Sequence, residues 1–113
     1  MSKSLKITTI LDKNYAISQE DAYKIFPQLE VAIKTKDPIQ LSFEGLENCS
    51  TIFLRNTLGN LYLKYGKEVD SSLEIVGLNP SDEILPVQIE RLRQRALNSD
   101  SYKSIFEQAV FQD

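Results

Sequence analysis

Residues 39–66 read IQLSFEGLENCSTIFLRNTLGNLYLKYG, and two periodicities meet inside them. Ile39, Leu41 and Phe43 alternate with Gln40 and Ser42, the period of a strand with one buried face. Glu44-Gly45 is the turn out of that strand. From about Thr51 to Tyr65 the period changes. Leu54, Leu58, Leu61 and Tyr65 recur at helical spacing, and Gly66 is the C-terminal stop. Gly59 lies inside this helix at a cost of about 1 kcal/mol against alanine, which a close backbone approach to the sheet would explain.

The same alternation continues on both sides. Leu5–Leu11 (LKITTIL) is rich in β-branched residues, with Leu5, Ile7, Thr9 and Leu11 on one face, and reads as a strand. Asp12-Lys13-Asn14 is a turn, and Tyr15-Ala16-Ile17 a short second strand. Ser18 then caps a helix whose first turn holds Glu20 and Asp21, acids that suit the positive end of the dipole. Ala22, Ile25, Phe26, Leu29 and Ile33 form its apolar stripe. Pro27 interrupts the pattern and predicts a kink or two short helices, because proline lacks a donor and crowds the preceding turn. Asp37-Pro38 ends the helix. Downstream, Ser72–Val76 is a strand and Asn79-Pro80-Ser81-Asp82 a turn and cap. A helix over about Glu83 to Leu97 turns Leu85, Ile89, Leu92 and Ala96 inward, with Pro86 in its first turn. Tyr102, Ile105, Phe106 and Ala109 mark a short terminal helix within residues 98–113. The alternation predicts an α/β fold with about four mostly parallel strands, helices mainly on one face and right-handed crossovers.

Composition sets the outer bounds. A chain of 113 residues has the common size of one domain, so a single domain over residues 1–113 is expected. Its 42% hydrophobic and 26% charged residues are near the globular average. The net charge of −3 supplies no basic surplus for phosphate neutralisation, so nucleic acid is not the expected partner. Arg91, Arg93 and Arg95 are the basic cluster. Arg91 and Arg95 share a helical face with Arg93 pointing away, and the cluster reads as a solvated flank. The first residues, MSKSLKI, lack the apolar run of a signal peptide, and no stretch approaches the length of a membrane span. With a single cysteine, this reads as a soluble cytoplasmic chain.

The chain has no histidine. That removes the commonest general base, the commonest metal ligand and every Ser-His or Cys-His nucleophile pair. There is no phosphate loop and no dinucleotide fingerprint. No cofactor and no metal are expected, and the domain reads as a binding module rather than an enzyme.

The candidate site is the loop Glu44–Thr51. It leaves the C-terminal end of a strand and delivers Ser50 and Thr51 to a helix start, at the edge where open α/β sheets bind. From residue type alone, Ser50 is an N-cap. Cys49 precedes a helix start, where a dipole can activate a thiol, but no basic residue lies within five positions and a buried structural role is expected. Glu44 and Glu47 are the acid pair of this loop and read as solvated surface.

Residues 39–66 resemble the STAS-like domain family of unknown function. The likeness lies in Leu41-Ser-Phe-Glu-Gly-Leu46 and Leu58-Gly-Asn-Leu-Tyr62. Ile17-Ser18…Ala22 and Leu73-Glu-Ile-Val…Leu78-Asn79 resemble the family's flanking helix start and strand, and coverage runs over about 15–97. Ser42 stands where the family usually has an acid, and Arg55-Asn56 replaces its acidic pair. The anti-sigma factor antagonists among true STAS domains carry a serine at this helix start that a histidine-kinase-like ATPase phosphorylates. Aligning Gly45 on their glycine brings Thr51, with Ser50 beside it, onto that serine. Ser50-Thr51-Ile52-Phe53 lacks the aspartate and glycine of their Asp-Ser-Ser-Gly motif.

The resemblance thus implies a STAS-like regulatory domain of bacterial type. It would dock a protein partner, an ATPase of that kind, through Glu44, Glu47, Asn48, Ser50, Thr51 and Arg55. A small-molecule or nucleotide sensor using the same edge, and an accessory or host-interaction protein of phage or mobile-element origin, are the alternative expectations.

Overall fold

A computed structural model describes residues 3–98 of the chain. Its main sheet has three parallel strands, β1 (Lys3–Lys6), β3 (Ile39–Ser42) and β5 (Leu73–Val76), with β3 in the middle. The register places Leu5 beside Leu41 and Leu41 beside Ile75. That row belongs to the core, with Ile39 and Leu73 on the same face. The opposite face carries Ser4, Gln40 and Glu74 side by side, and Gln40 Nε2 donates to Glu74 Oε1 at 2.9 Å. Period two therefore sorts the sheet into a covered apolar face and a polar face, as the alternation predicts.

The first strand is shorter than its β-branched run suggests. After Lys6 the chain turns into a helical turn, α1 (Ile7–Leu11), closed by Asp12 at φ 58°. Ile7 and Leu11 both point inward because they are four residues apart, a spacing that a helix satisfies and that burial then selects. A second, two-stranded parallel pair joins β2 (Tyr15–Ala16) to β4 (Asn48–Cys49). The strand expected over Tyr15–Ile17 exists at Tyr15–Ala16, but it pairs outside the main sheet.

Ser18 opens α2 (Gln19–Thr35) as expected. Pro27 does not divide this helix. Pro27 and Tyr23, the residue whose carbonyl loses its donor, are both exposed, while Ile25 and Leu29 on the other side of the helix are fully buried. The next helical run is continuous through α3 (Thr51–Leu54), a π-helical turn (Arg55–Gly59) and α4 (Asn60–Tyr65), and it ends at Gly66 with φ 62°. The π turn is unforeseen. Asn60 N–H bonds Arg55 O, five residues back, while the buried Thr57 Oγ1 donates to Phe53 O at 2.8 Å. Gly59 does not approach the sheet. A Cβ there would meet Leu92 Cδ2 at 4.0 Å, on the last helix.

A short helix, α5 (Glu68–Ser72), precedes β5. Asp82 Oδ1 accepts from Ile84 and Leu85 N–H at 2.9 and 3.0 Å and so opens α6 (Ile84–Leu97). Tyr62 Oη and the Arg93 guanidinium both donate to the Asp70 carboxylate, which ties α4, α5 and α6 together. Arg93 is thus a structural residue. The terminal helix expected at Tyr102, Ile105, Phe106 and Ala109 lies outside the described residues.

One buried charge organises the N-terminal third. Asp21 is 3% exposed, yet its Oδ1 meets Lys13 Nζ at 2.8 Å and its Oδ2 accepts from Ile17 and Ser18 N–H at 3.1 and 3.3 Å. Its own N–H donates to Ser18 Oγ, which completes a capping box. Burial favours the neutral acid, but the lysine and the two N–H groups prevail and hold the carboxyl at about 2. A carboxyl depressed in the fold stabilises it fully above its unfolded value of about 4, and that contribution fades as pH falls through the folded value. Asp21→Asn is therefore expected to cost about 2 kcal/mol at neutral pH. Urea titrations between neutral and acid pH should show the gap between variant and parent closing as pH falls toward the folded value.

Candidate functional site

The turn after β3 is held from three directions. Gly45, at φ 79°, lets the chain reverse, and Leu46 N–H closes onto Phe43 O at 3.1 Å. Thr8 Oγ1 donates to Glu44 O at 3.3 Å, and the buried Ser42 Oγ accepts from Glu44 N–H at 3.2 Å. Gly77, at φ 74°, presses against the turn from β5. A Cβ on it would lie 2.7 Å from Glu44 N and 2.8 Å from Ser42 Oγ. Ser42 is thus a small hydroxyl wedged between the Glu44 turn and Gly77, which gives the serine at this position a packing role.

The rest of the loop is laced to the chain before α2. Glu47 N–H donates to Asn14 O at 2.7 Å, and Asn14 Nδ2 donates to Glu47 Oε2 at 2.8 Å. Ser50 N–H donates to Ala16 O at 2.9 Å. Ser50 Oγ accepts from Phe53 N–H at 3.1 Å, capping α3, and donates to Ile17 O. The starts of α2 and α3 are therefore neighbours, with Gln19 Nε2 and Asn56 Oδ1 3.5 Å apart. Both helix dipoles present their positive ends to the same edge.

The residues expected to act together separate into groups. Glu44 and Glu47 are exposed and held by different partners, Glu44 by Lys6 Nζ at 3.4 Å and Glu47 by Asn14. The exposed Glu44 ion pair contributes little to stability. Asn48 is exposed and, with Glu47 and Cys49, walls a cleft of about 270 Å³ against Asp82, Ile84, Leu85 and Gln88. Ser50 has both its donor and its acceptor engaged. Thr51, next to it, is exposed in the first turn of α3, and its hydroxyl makes no hydrogen bond among the described residues. Arg55 leaves this group and lines a second groove, between α4 and α6. Burial pushes the Cys49 thiol up to about 12, with Asp82 adding to the effect, so it stays protonated near neutrality.

Residue patterns missed part of this edge. Tyr15, Ile17 and Ile52 are 42%, 46% and 52% exposed and stand around the Ser50–Ile17 bond. Lys13 Nζ lies 4.4 Å from the Tyr15 ring centre, between that ring and Asp21. Tyr15 and Ile17 read as strand residues, and nothing local shows that this strand pairs at the rim instead of in the sheet. Among the described residues, no group of three or more acidic or cysteine side chains is placed to hold a metal ion.

Residues 21–83, more than half of the chain, match the family model of a STAS-like domain of unknown function. The match includes α2 from Asp21 on, the β3 strand, the whole candidate loop, the helix behind it and β5. No curated protein and no solved structure matches the chain.

Two adjacent hydroxyls should respond differently to truncation. Ser50→Ala removes a cap and leaves Ile17 O without its donor, so it is expected to cost about 1–2 kcal/mol in urea unfolding. Thr51→Ala should stay within about 0.5 kcal/mol of the parent. Gly77→Ala forces a side chain into a left-handed backbone against Glu44 N, and should cost about 2 kcal/mol or more. A Gly77→Ala protein as stable as the parent would contradict the packing described for this turn.

Proposed function

This chain belongs to the family of STAS-like domains of unknown function, and from that premise we propose that it is a non-catalytic docking module whose partner surface is governed by a phosphoryl group on Thr51. The observation that carries the reading is the contrast between the two hydroxyls. Ser50 is committed to Phe53 N–H and Ile17 O, whereas Thr51 is exposed and unengaged among the described residues.

The surroundings support a switch. Tyr15, Ile17 and Ile52 offer apolar area beside Thr51, and Glu44, Glu47 and Asn48 offer polar groups for a rim. In the phosphoryl step, Thr51 Oγ1 bonds the γ-phosphorus of ATP, ADP departs, and the hydroxyl proton passes to a base of the kinase. The product adds about two negative charges at a helix start. The dipole accommodates them, so α3 persists, while Glu44 and Glu47 now share their surface with a strong anion. A partner seated on the apolar residues would meet a changed field without any change of fold. The partner that the resemblance suggests is a histidine-kinase-like ATPase. The absence of histidine and the protonated Cys49 thiol favour docking over catalysis.

The polar cleft between Glu47–Cys49 and Asp82–Gln88 favours a second reading, a small-molecule or nucleotide sensor. A nucleotide held there at a hundredfold its dissociation constant would stabilise the fold by about 2.7 kcal/mol, which a thermal-shift screen detects.

Incubation with a kinase of this class and ATP, followed by peptide mass spectrometry, tests the switch. Phosphate is expected on Thr51 and not on Ser50. No phosphate at Thr51, under conditions that modify a known substrate, would remove the phosphoryl control. Thr51→Glu is expected to lose the partner in a pull-down, and retention of the full partner set would remove the docking surface as well.

A further inference from the structure

The helical run from Thr51 to Tyr65 and α6 lie side by side with their starts at the same end. Leu46–Cys49 faces Asp82–Gln88 there, and Gly59 faces Leu92 farther along. Beyond the shared starts, a groove of about 260 Å³ opens between them, lined by Arg55, Gly59, Asn60, Leu63, Leu92, Arg95 and Ala96. Its floor is apolar. Leu63 is 55% exposed, and Gly59 and Ala96 withhold side-chain bulk beside it. Its rim is cationic. No carboxylate lines it, although the chain as a whole has more acids than bases, 16 against 13. Arg91 stands one turn before Arg95, on the same side of α6, and both border the adjoining surface. Arg55, Arg91 and Arg95 form no ion pair among the described residues, whereas Arg93 is spent on Asp70 and Glu90.

We propose that this groove seats an acidic amphipathic helix of a partner protein. Two parallel helices leave a furrow that accepts the ridge of a third helix, and small residues at Gly59 and Ala96 let that ridge come close. Apolar anchors of the incoming helix meet Leu63 and Leu92, while its flanking carboxylates meet the guanidiniums of Arg55 and Arg95, whose forked donors suit carboxylates. The π turn gives this an origin in the backbone. Arg55 and Gly59, the first and last residues of that turn, both line the groove, and π insertions are frequent at functional sites. Charge complementarity selects the partner, because an acidic helix supplies the sign that this groove lacks. Single-stranded RNA suits it less, since no aromatic ring lines the groove for bases to stack on. Arg55 stands one turn after Thr51, so the groove begins where the Thr51 edge ends and runs from there along Gly59 and Leu63 to Arg95.

Amide chemical shifts of the full chain, titrated with a synthetic helical peptide, test this. The peptide carries leucines at i, i+4 and i+7 and glutamates along both flanks. Perturbations are expected at Gly59, Leu63, Leu92 and Ala96, with an affinity that falls as salt rises. Arg55→Glu/Arg95→Glu should weaken binding about tenfold or more. Gly59→Ala raises the groove floor without touching a charge, and its Cβ meets only ordinary contacts of 3.7–4.0 Å, so it should weaken binding about tenfold in a folded protein. The proposal is overturned if a lysine-flanked version binds equally well, or if the perturbed amides lie at residues 46–52. It is also overturned if a single-stranded RNA binds the groove more tightly than the peptide. Tighter peptide binding by an Ile105→Ser/Phe106→Ser variant would overturn it in favour of the chain's own residues 99–113 as occupant.

Discussion

The buried carboxylate of Asp21 is the constraint around which the N-terminal half is assembled. A lone charge at 3% exposure would be expensive, and every nearby choice answers that expense. Lys13 delivers a counter-ion from the turn after α1, Ile17 and Ser18 give their N–H groups, and Ser18 returns its hydroxyl to the Asp21 N–H. Satisfying one acid therefore fixes the path of residues 13–18. That path decides where Ala16 and Ile17 present their carbonyls, and those carbonyls receive Ser50. The geometry of the candidate site is thus inherited from an interaction that lies beside it.

The consequence is a rim with two helix starts and two serine caps that share one short segment. Ser18 caps α2, Ser50 caps α3, and Ile17 lies between the two. The capping serine is engaged on both sides, and the exposed hydroxyl of this helix start is that of Thr51, one residue on. The molecule also separates its charges. Acidic and apolar residues collect at this rim, while arginines without an ion pair among the described residues collect along the farther stretch of the groove between α4 and α6.

Much of this was legible in residue order. The alternation in Ile39–Phe43 and the leucine spacing in Leu54–Tyr65 identify β3 and the helix behind it because both elements bury one face, and a buried face imposes its period on the sequence. Ser18, Ser50 and Gly66 mark ends because caps need particular side chains or a permissive backbone. Leu5–Leu11 misled for an instructive reason. Leu5, Ile7 and Leu11 suit a strand's period, but Ile7 and Leu11 also suit a helical turn, and only the end of pairing at Lys6–Ser42 decides between them. Of the outcomes read from Pro27, division into two helices does not occur, because the cost of proline depends on which side of the helix faces water.

The sequence alone determined the parallel α/β order, the caps, the apolar stripes and the loop that carries the candidate residues, since each depends on neighbours within a few positions. Tertiary structure decided the rest. It buried Asp21 against Lys13, turned Ser50 toward Ile17, drove Gly77 against Glu44 and set Arg55 along the groove beside α6. These pairings join residues distant along the chain, so no local period records them; they follow from which surfaces the packed helices and strands bring within hydrogen-bonding or van der Waals reach.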